Sequence, residues 1–178
     1  MMKTLKNKIL ISMPSMTDPI FKKSIVYLFE HDINGAAGVI INKDFNSLIF
    51  NSSFVEKKIR KPYFDKEVLF GGPVQTETGI VLHDTLNENT ASKQLTKTLF
   101  FSENRDILRR VNAAKNIQYR IIFGHSAWDS GQLENELKNG DWIAKSINNA
   151  FIFNKKLENM WIQALNSISN KLSPGGFS

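Results

Sequence analysis

Ser24-Ile25-Val26-Tyr27-Leu28-Phe29-Glu30-His31-Asp32-Ile33-Asn34-Gly35-Ala36-Ala37-Gly38-Val39-Ile40-Ile41-Asn42 is the stretch on which the reading of the fold turns. Ser24 to Glu30 is dense in β-branched and aromatic side chains, which fit a pleated, half-buried surface, and predicts a strand. Asn34-Gly35 follows, and both residues tolerate positive φ, so a tight turn is expected. Ala37 to Asn42 supplies the returning strand. A β-hairpin, not a strand feeding a crossover helix, is therefore expected over this stretch.

Working outward, Lys8 to Met13 predicts a strand before the hairpin. Beyond it, Ser47 to Ile59 has Leu48, Val55 and Ile59 at helical spacing. Glu67 to Phe70 and Gly79 to His83 read as strands around Gly71-Gly72-Pro73, and Leu95 to Phe101 as another. Ile107, Leu108, Val111 and Ala114 share one face of a helix over Asn104 to Lys115. Tyr119 to Phe123 is a buried strand running into Gly124-His125-Ser126-Ala127-Trp128. Asp129 and Gln132 then have the spacing of a capping box, Leu133 and Leu137 share a face, Glu134 and Lys138 are spaced to pair, and Gly140 ends the helix. Strand signals return at Trp142 to Ile147 and Phe151 to Phe153. A closing amphipathic helix carries Leu157, Trp161, Leu165 and Ile168. The pattern is mixed α/β with hairpins, not regular βαβ alternation.

Composition narrows the classes. The chain has 178 residues, 42% apolar and 22% charged, with no cysteine and a net charge of +6. A chain of that length buries about 70% of its unfolded surface and sustains a core without staples. Absence of thiols excludes disulfides, cysteine-based zinc sites and cysteine nucleophiles. No linker, repeat or low-complexity tract divides residues 1–178, so one domain is expected. The apolar run Ile9 to Ile11 is too short for a secretory signal, which needs about 7 to 15 residues, and a cytoplasmic location is expected.

Three histidines lie near acids: His31 with Asp32, His83 with Asp84 and His125 with Asp129. Imidazole and carboxylate ligate metals, but these pairs fall at strand ends and far apart, and no metal or other cofactor is expected. Gly124 to Trp128 imitates a nucleophile elbow, with Ser126 between a strand and a helix, but it lacks the second glycine, and no histidine follows the serine. Gly71-Gly72-Pro73-Val74 lacks the lysine and hydroxyl of a P-loop.

Several segments together resemble the YqgE/AlgH family of bacterial proteins. They are Met13-Pro14-Ser15-Met16 with Asp18-Pro19 and Phe21, Ser24 to Leu28 with Glu30-His31, Gly35 with Gly38 to Asn42, Phe70 to Val74, Val81-Leu82-His83, and Gly124 to Trp128 with Gly131-Gln132-Leu133-Glu134. The resemblance runs over nearly the whole chain. It implies a mixed α+β fold with a largely antiparallel or mixed, barrel-like sheet and flanking helices. It also brings a regulator label attached to some members and no catalytic residue to transfer. Where relatives often have Gly-Tyr-Ala-Gly-Trp, this chain has His125, Ser126 and Ala127, which argues against a shared serine mechanism.

The leading expectation is a cofactor-free binding or regulatory protein for a small-molecule or protein partner, with no membrane segment. Its expected ligand or partner patch comprises Met13, Pro14, His31, Gly71, Gly72, Pro73, His83, Gly124, His125, Ser126, Trp128 and Gln132. One alternative is a hydrolase in which His83 or His125 works with Ser126 or Asp129. Another is a weak nucleic-acid binder using Lys57, Lys58, Arg60 and Lys61. Lysine outnumbers arginine more than threefold, and arginine is the usual reader of guanine. DNA binding is therefore expected to be weak and salt-sensitive, with a dissociation constant of about micromolar or above at physiological salt. A labelled duplex titrated at low and physiological salt checks this; sequence-selective nanomolar binding would contradict it.

Overall fold

The structure is a computed structural model that describes residues 3–45, 67–84, 92–103 and 116–172. The helices expected over Ser47 to Ile59 and Asn104 to Lys115, and the basic run at Lys57 to Lys61, lie outside those residues. The described elements are β1 (Lys8–Ser12), β2 (Ile25–Asp32), β3 (Gly35–Ile40), β4 (Val68–Phe70), β5 (Val74–His83), β6 (Lys93–Thr96), β7 (Leu99–Ser102), β8 (Tyr119–Asp129), α1 (Gln132–Asn139), β9 (Trp142–Ser146), α2 (Asn149–Asn154) and α3 (Leu157–Leu172). The strands form one sheet in the order β6-β7-β5-β8-β3-β2-β1-β9, with β4 beside β8. All described pairings are antiparallel except β4 with β8. This is a mixed α+β fold built on a curled, largely antiparallel half-barrel.

The hairpin β2–β3 is present, with Asp32 opposite Gly35. Its first strand is apolar on both faces because both faces are covered. Ile25, Tyr27 and Phe29 join one core cluster with Ile9, Ile11, Ile80, Leu82, Leu99, Phe101 and Ile122, against Ile152, Met160 and Ala164 of α2 and α3. Val26 and Leu28 join the other with Leu10, Phe70, Ile121, Trp128 and Trp142, against Leu133 of α1 and the Met16, Ile20 and Phe21 segment.

Contacts between non-neighbouring strands show which face is concave. The rings of Phe29 on β2 and Phe101 on β7 have centroids 5.0 Å apart, although three strands separate them in the sheet. Lys93 on β6 pairs with Glu30 on β2, and the Asn7 side-chain amide donates to the Leu95 carbonyl at 2.8 Å. The first cluster is therefore the interior of the half-barrel. On the same side, the Arg120 guanidinium donates to the carbonyls of Ile152, Phe153 and Lys155 and to Glu67. It thereby caps the last turn of α2, where free carbonyls favour a cation.

Four expectations change. Leu95 to Phe101 is two strands, β6 and β7, turning at Lys97-Thr98 without glycine, proline or asparagine to announce it. β5 begins at Val74, not Gly79, because Gln75 to Thr78 form a bulge. Phe151 to Phe153 is helical, since Asn148 caps the Phe151 N–H at 3.1 Å and Ile152 turns into the core; tertiary packing outweighs aromatic β-propensity. Gly124 to Trp128 is not a strand-turn-helix elbow but the second half of β8. Gly140 does end α1, at φ +82°, with its N–H bonded to the helix carbonyls. Among the described residues no helix is long and apolar enough to cross a membrane.

Lys43, just after β3, donates its ammonium to the Ile20 carbonyl. Burial lowers its pKa to about 8, against the opposing pull of Asp18. Its folded state thus binds fewer protons than the unfolded state between about pH 8 and the usual lysine value of 10.5. The penalty for charging it is complete below about pH 8 and disappears above 10.5, so this group's contribution to stability rises with pH across that window. Urea titrations at pH 8 and pH 10 should show a smaller pH increment in Lys43→Met than in the wild type; equal increments would contradict the assignment.

Candidate functional site

The glycines expected to admit a ligand admit one another. Gly71 donates its N–H to the Phe123 carbonyl at 2.8 Å and accepts from Ile40 N–H at 2.8 Å and from Ser126 Oγ at 3.1 Å. A Cβ at Gly72 (φ +146°) would lie 2.3 Å from the His125 carbonyl oxygen, and one at Gly124 (φ +75°) 2.3 Å from the Gly72 oxygen. The turn after β4 and the middle of β8 are packed backbone to backbone, a separation only glycine permits. Pro73 follows, exposed at the surface.

Gly124 also resets the strand. Ile121 and Phe123 face the convex cluster and Ile122 the interior, whereas beyond Gly124 it is Trp128 that joins the convex cluster. Opposite it, β5 pairs Val74 with His125 and Gly79 with Phe123, so four residues bulge against the single Gly124. Gln75 in that bulge has φ +47°. Bulges bend a strand and re-aim side chains. Here His125 goes to the concave face and Ser126 to the convex one.

On the convex face, α1 is fastened by a polar cluster. Trp128 Nε1 and Trp142 Nε1 both donate to Glu136 Oε2 at 2.8 Å, and the Gln132 amide donates to Glu136 Oε1 at 2.9 Å. Gln132 Oε1 accepts from Asp129 N–H at 3.0 Å, but the expected capping box does not form, because Gly131 is the residue that caps α1 and it offers no side chain to the first turn. The two indoles lie 6.1 Å apart edge to face, with Phe21 against both. Glu134, expected to pair with Lys138, meets His31 Nε2 at 2.8 Å, while His31 Nδ1 accepts from Leu5 N–H at 2.9 Å. Met13 donates its N–H to the Asp141 carbonyl just past α1, and Pro14 follows it, exposed.

The convex face thus gathers Met13, His31, Gly71, Gly72, Ser126, Trp128 and Gln132 along one stretch. It leaves out two histidines. His83 pairs with Tyr119 at the other end of β8, about 20 Å from Ser126 by strand rise. It is fully buried, with its Nε2 2.9 Å from Ser102 Oγ. His125 is next to Ser126 but across the sheet. Ser126, 1% exposed, spends its hydroxyl on Gly71, so neither expected histidine–serine pair is assembled.

His125 lines a groove of about 400 Å³ at one mouth of the half-barrel. Phe29, Ile80 and Phe101 form its apolar floor; Glu30, Lys93, Glu103, Gln75 and Thr78 stand with His125 around it. A bulge between Leu28 and Glu30 in β2 turns both Phe29 and Glu30 toward this space. Most of these residues escaped the sequence reading, because bulges break the two-residue period that would have placed them. Glu136 was findable: it lies one turn after Gln132 on the helix bracketed by Trp128 and Trp142.

Trp128 is 6% exposed, so Trp128→Ala should cost about 3 to 5 kcal/mol in a denaturant titration. Glu136→Gln keeps the size of the side chain but weakens its grip on two indole N–H groups, and should cost about 1 to 2 kcal/mol. Losses under about 0.5 kcal/mol for both would contradict the cluster.

The AlgH-like family model matches residues 9–173. A UPF0301 protein of Pseudoalteromonas translucida is 32% identical, covering 97% of each chain. One from Paraburkholderia phymatum is 36% identical, covering 90% of this chain and 86% of its own. Among solved structures, the AlgH protein of Pseudomonas aeruginosa superposes with a TM-score of 0.71 at 26% identity over the whole of both chains. A Corynebacterium diphtheriae protein shares the fold, with a TM-score of 0.70 at 18% identity over 93% of this chain and 88% of its own. By sequence and by fold, the chain belongs to the AlgH-like, UPF0301 family.

Proposed function

We propose that this is a cytoplasmic, non-catalytic binding or regulatory protein, one domain over residues 1–178, that takes a small molecule or a segment of a protein partner in the groove lined by His125. The groove carries the reading: its volume of about 400 Å³ falls in the range of ligand sites, and an apolar floor with a few polar groups around it is their usual composition. Strained backbone at Gln75, φ +47°, lines it, as is common where a fold holds a binding surface. The engagement of Ser126 with Gly71 favours binding over hydrolysis.

Tagged wild-type protein and Thr78→Trp, which fills the groove from the bulge, should be compared by pulldown from lysate of the source cells, with native mass spectrometry for small ligands. Ile162→Ser, on the exposed face of α3, serves as control. The expected result is a partner or ligand recovered with wild type and control and reduced about tenfold or more with Thr78→Trp, a difference of about 1.4 kcal/mol. Equal recovery with all three would overturn the assignment to this groove.

A further inference from the structure

A second cavity, of about 440 Å³, lies on the other side of the molecule's β1 strand, between β9 and α3. Its apolar surface comes from Ile9, Ile147 and Phe151, and its charged groups are Lys145 and Lys155, with no carboxylate among its lining residues. β9 ends the sheet, and among the described residues it pairs only with β1. That pairing runs over five residues without a register shift. A regular edge strand presents unpaired N–H and C=O groups along its outer side. Lysines often guard such edges by projecting over them, but Lys145 folds back to the hydroxyl and carbonyl of Ser167 on α3.

We propose that this edge and cavity form a docking site for the C-terminal end of an extended peptide, held by strand addition to β9. In this mode main-chain bonds supply affinity and side-chain pockets supply selectivity. The peptide's last side chain would enter the cavity between Ile147 and Phe151, and its terminal carboxylate would meet Lys145 and Lys155. Charge complementarity and the open edge together select this occupant. A small organic anion would use the lysines and leave the edge empty, and a peptide lacking the carboxylate would use the edge and leave two cations without a counter-charge.

The test is a titration of the full ¹⁵N-labelled chain with acetyl-Ala-Thr-Ala-Val as the free acid, with the same peptide as its C-terminal amide, and with acetate. The free acid should give saturable shifts at 143–148 and 163–167, and the amide should bind about tenfold more weakly, as loss of a charge-assisted contact requires. Lys155→Met, an exposed substitution that leaves the fold intact, should narrow the difference between acid and amide. Three results would overturn the proposal: no saturable shift from the free acid, equal binding of acid and amide, or the same shifts from acetate alone. Because the shifts are read at β9 and α3, the outcome is independent of the groove at His125.

Discussion

Gly71 makes three hydrogen bonds to two strands at once: its N–H to Phe123 on β8, and its carbonyl to Ile40 N–H on β3 and to Ser126 Oγ on β8. Beside it, Gly72 and Gly124 approach so closely that a Cβ on either would collide with the other's backbone neighbourhood at 2.3 Å. This backbone-on-backbone contact joins β3, the end of β4 and β8. Buried backbone must have its polar groups satisfied, and here the satisfaction comes from two parts of the chain, Ile40 and Phe123 to Ser126, that are remote in sequence from Gly71 and from each other.

The rest of the molecule inherits its geometry from that crossing. Gly124 at φ +75° forces β8 to change which residues face inward. One half of the strand then sends Ile121 and Phe123 to the convex side, and the other sends Ser126 and Trp128. The displaced β5 residues, Gln75 to Thr78, form the bulge that borders the groove. Trp128, placed on the convex side by the same reset, reaches Glu136 and fastens α1. Groove and helix dock are thus two consequences of one glycine contact on opposite faces of the sheet.

Elements announced by a dense apolar run beside a turn signal or by helical spacing were legible in the sequence: β1, the β2–β3 hairpin, β9, α1 and α3. So was the importance of Gly71, Gly72 and Gly124, and the resemblance pointed to the barrel-like sheet. What the glycines approach was not legible, because it depends on strand pairing between residues about fifty positions apart. Gly124 to Trp128 read as a loop because the reset at Gly124 erases the alternation that marks a strand. His83 and His125 were grouped with Ser126 by chemistry alone, and a ten-residue β5 and the alternation of faces separate them. The groove residues Glu30 on β2, Lys93 on β6 and Glu103 just past β7 meet through the curl of the sheet, which no local pattern reveals.

Gly124 and Gly131 share the same φ of +75°, but a Cβ at Gly131 meets nothing within 4 Å whereas one at Gly124 meets the Gly72 oxygen at 2.3 Å. Comparing Gly124→Ala with Gly131→Ala by denaturant unfolding therefore separates the crossing from the ordinary cost of a left-handed residue. Gly131→Ala should lose about 1 kcal/mol. Gly124→Ala should lose at least about 3 kcal/mol, the range of severe steric disruption in a core, with amide shifts spreading to Gly71, Ile40 and the bulge at Gln75. Equal losses for the two variants, with no change at Gly71 or Ile40, would contradict the claim that the structure depends on this contact.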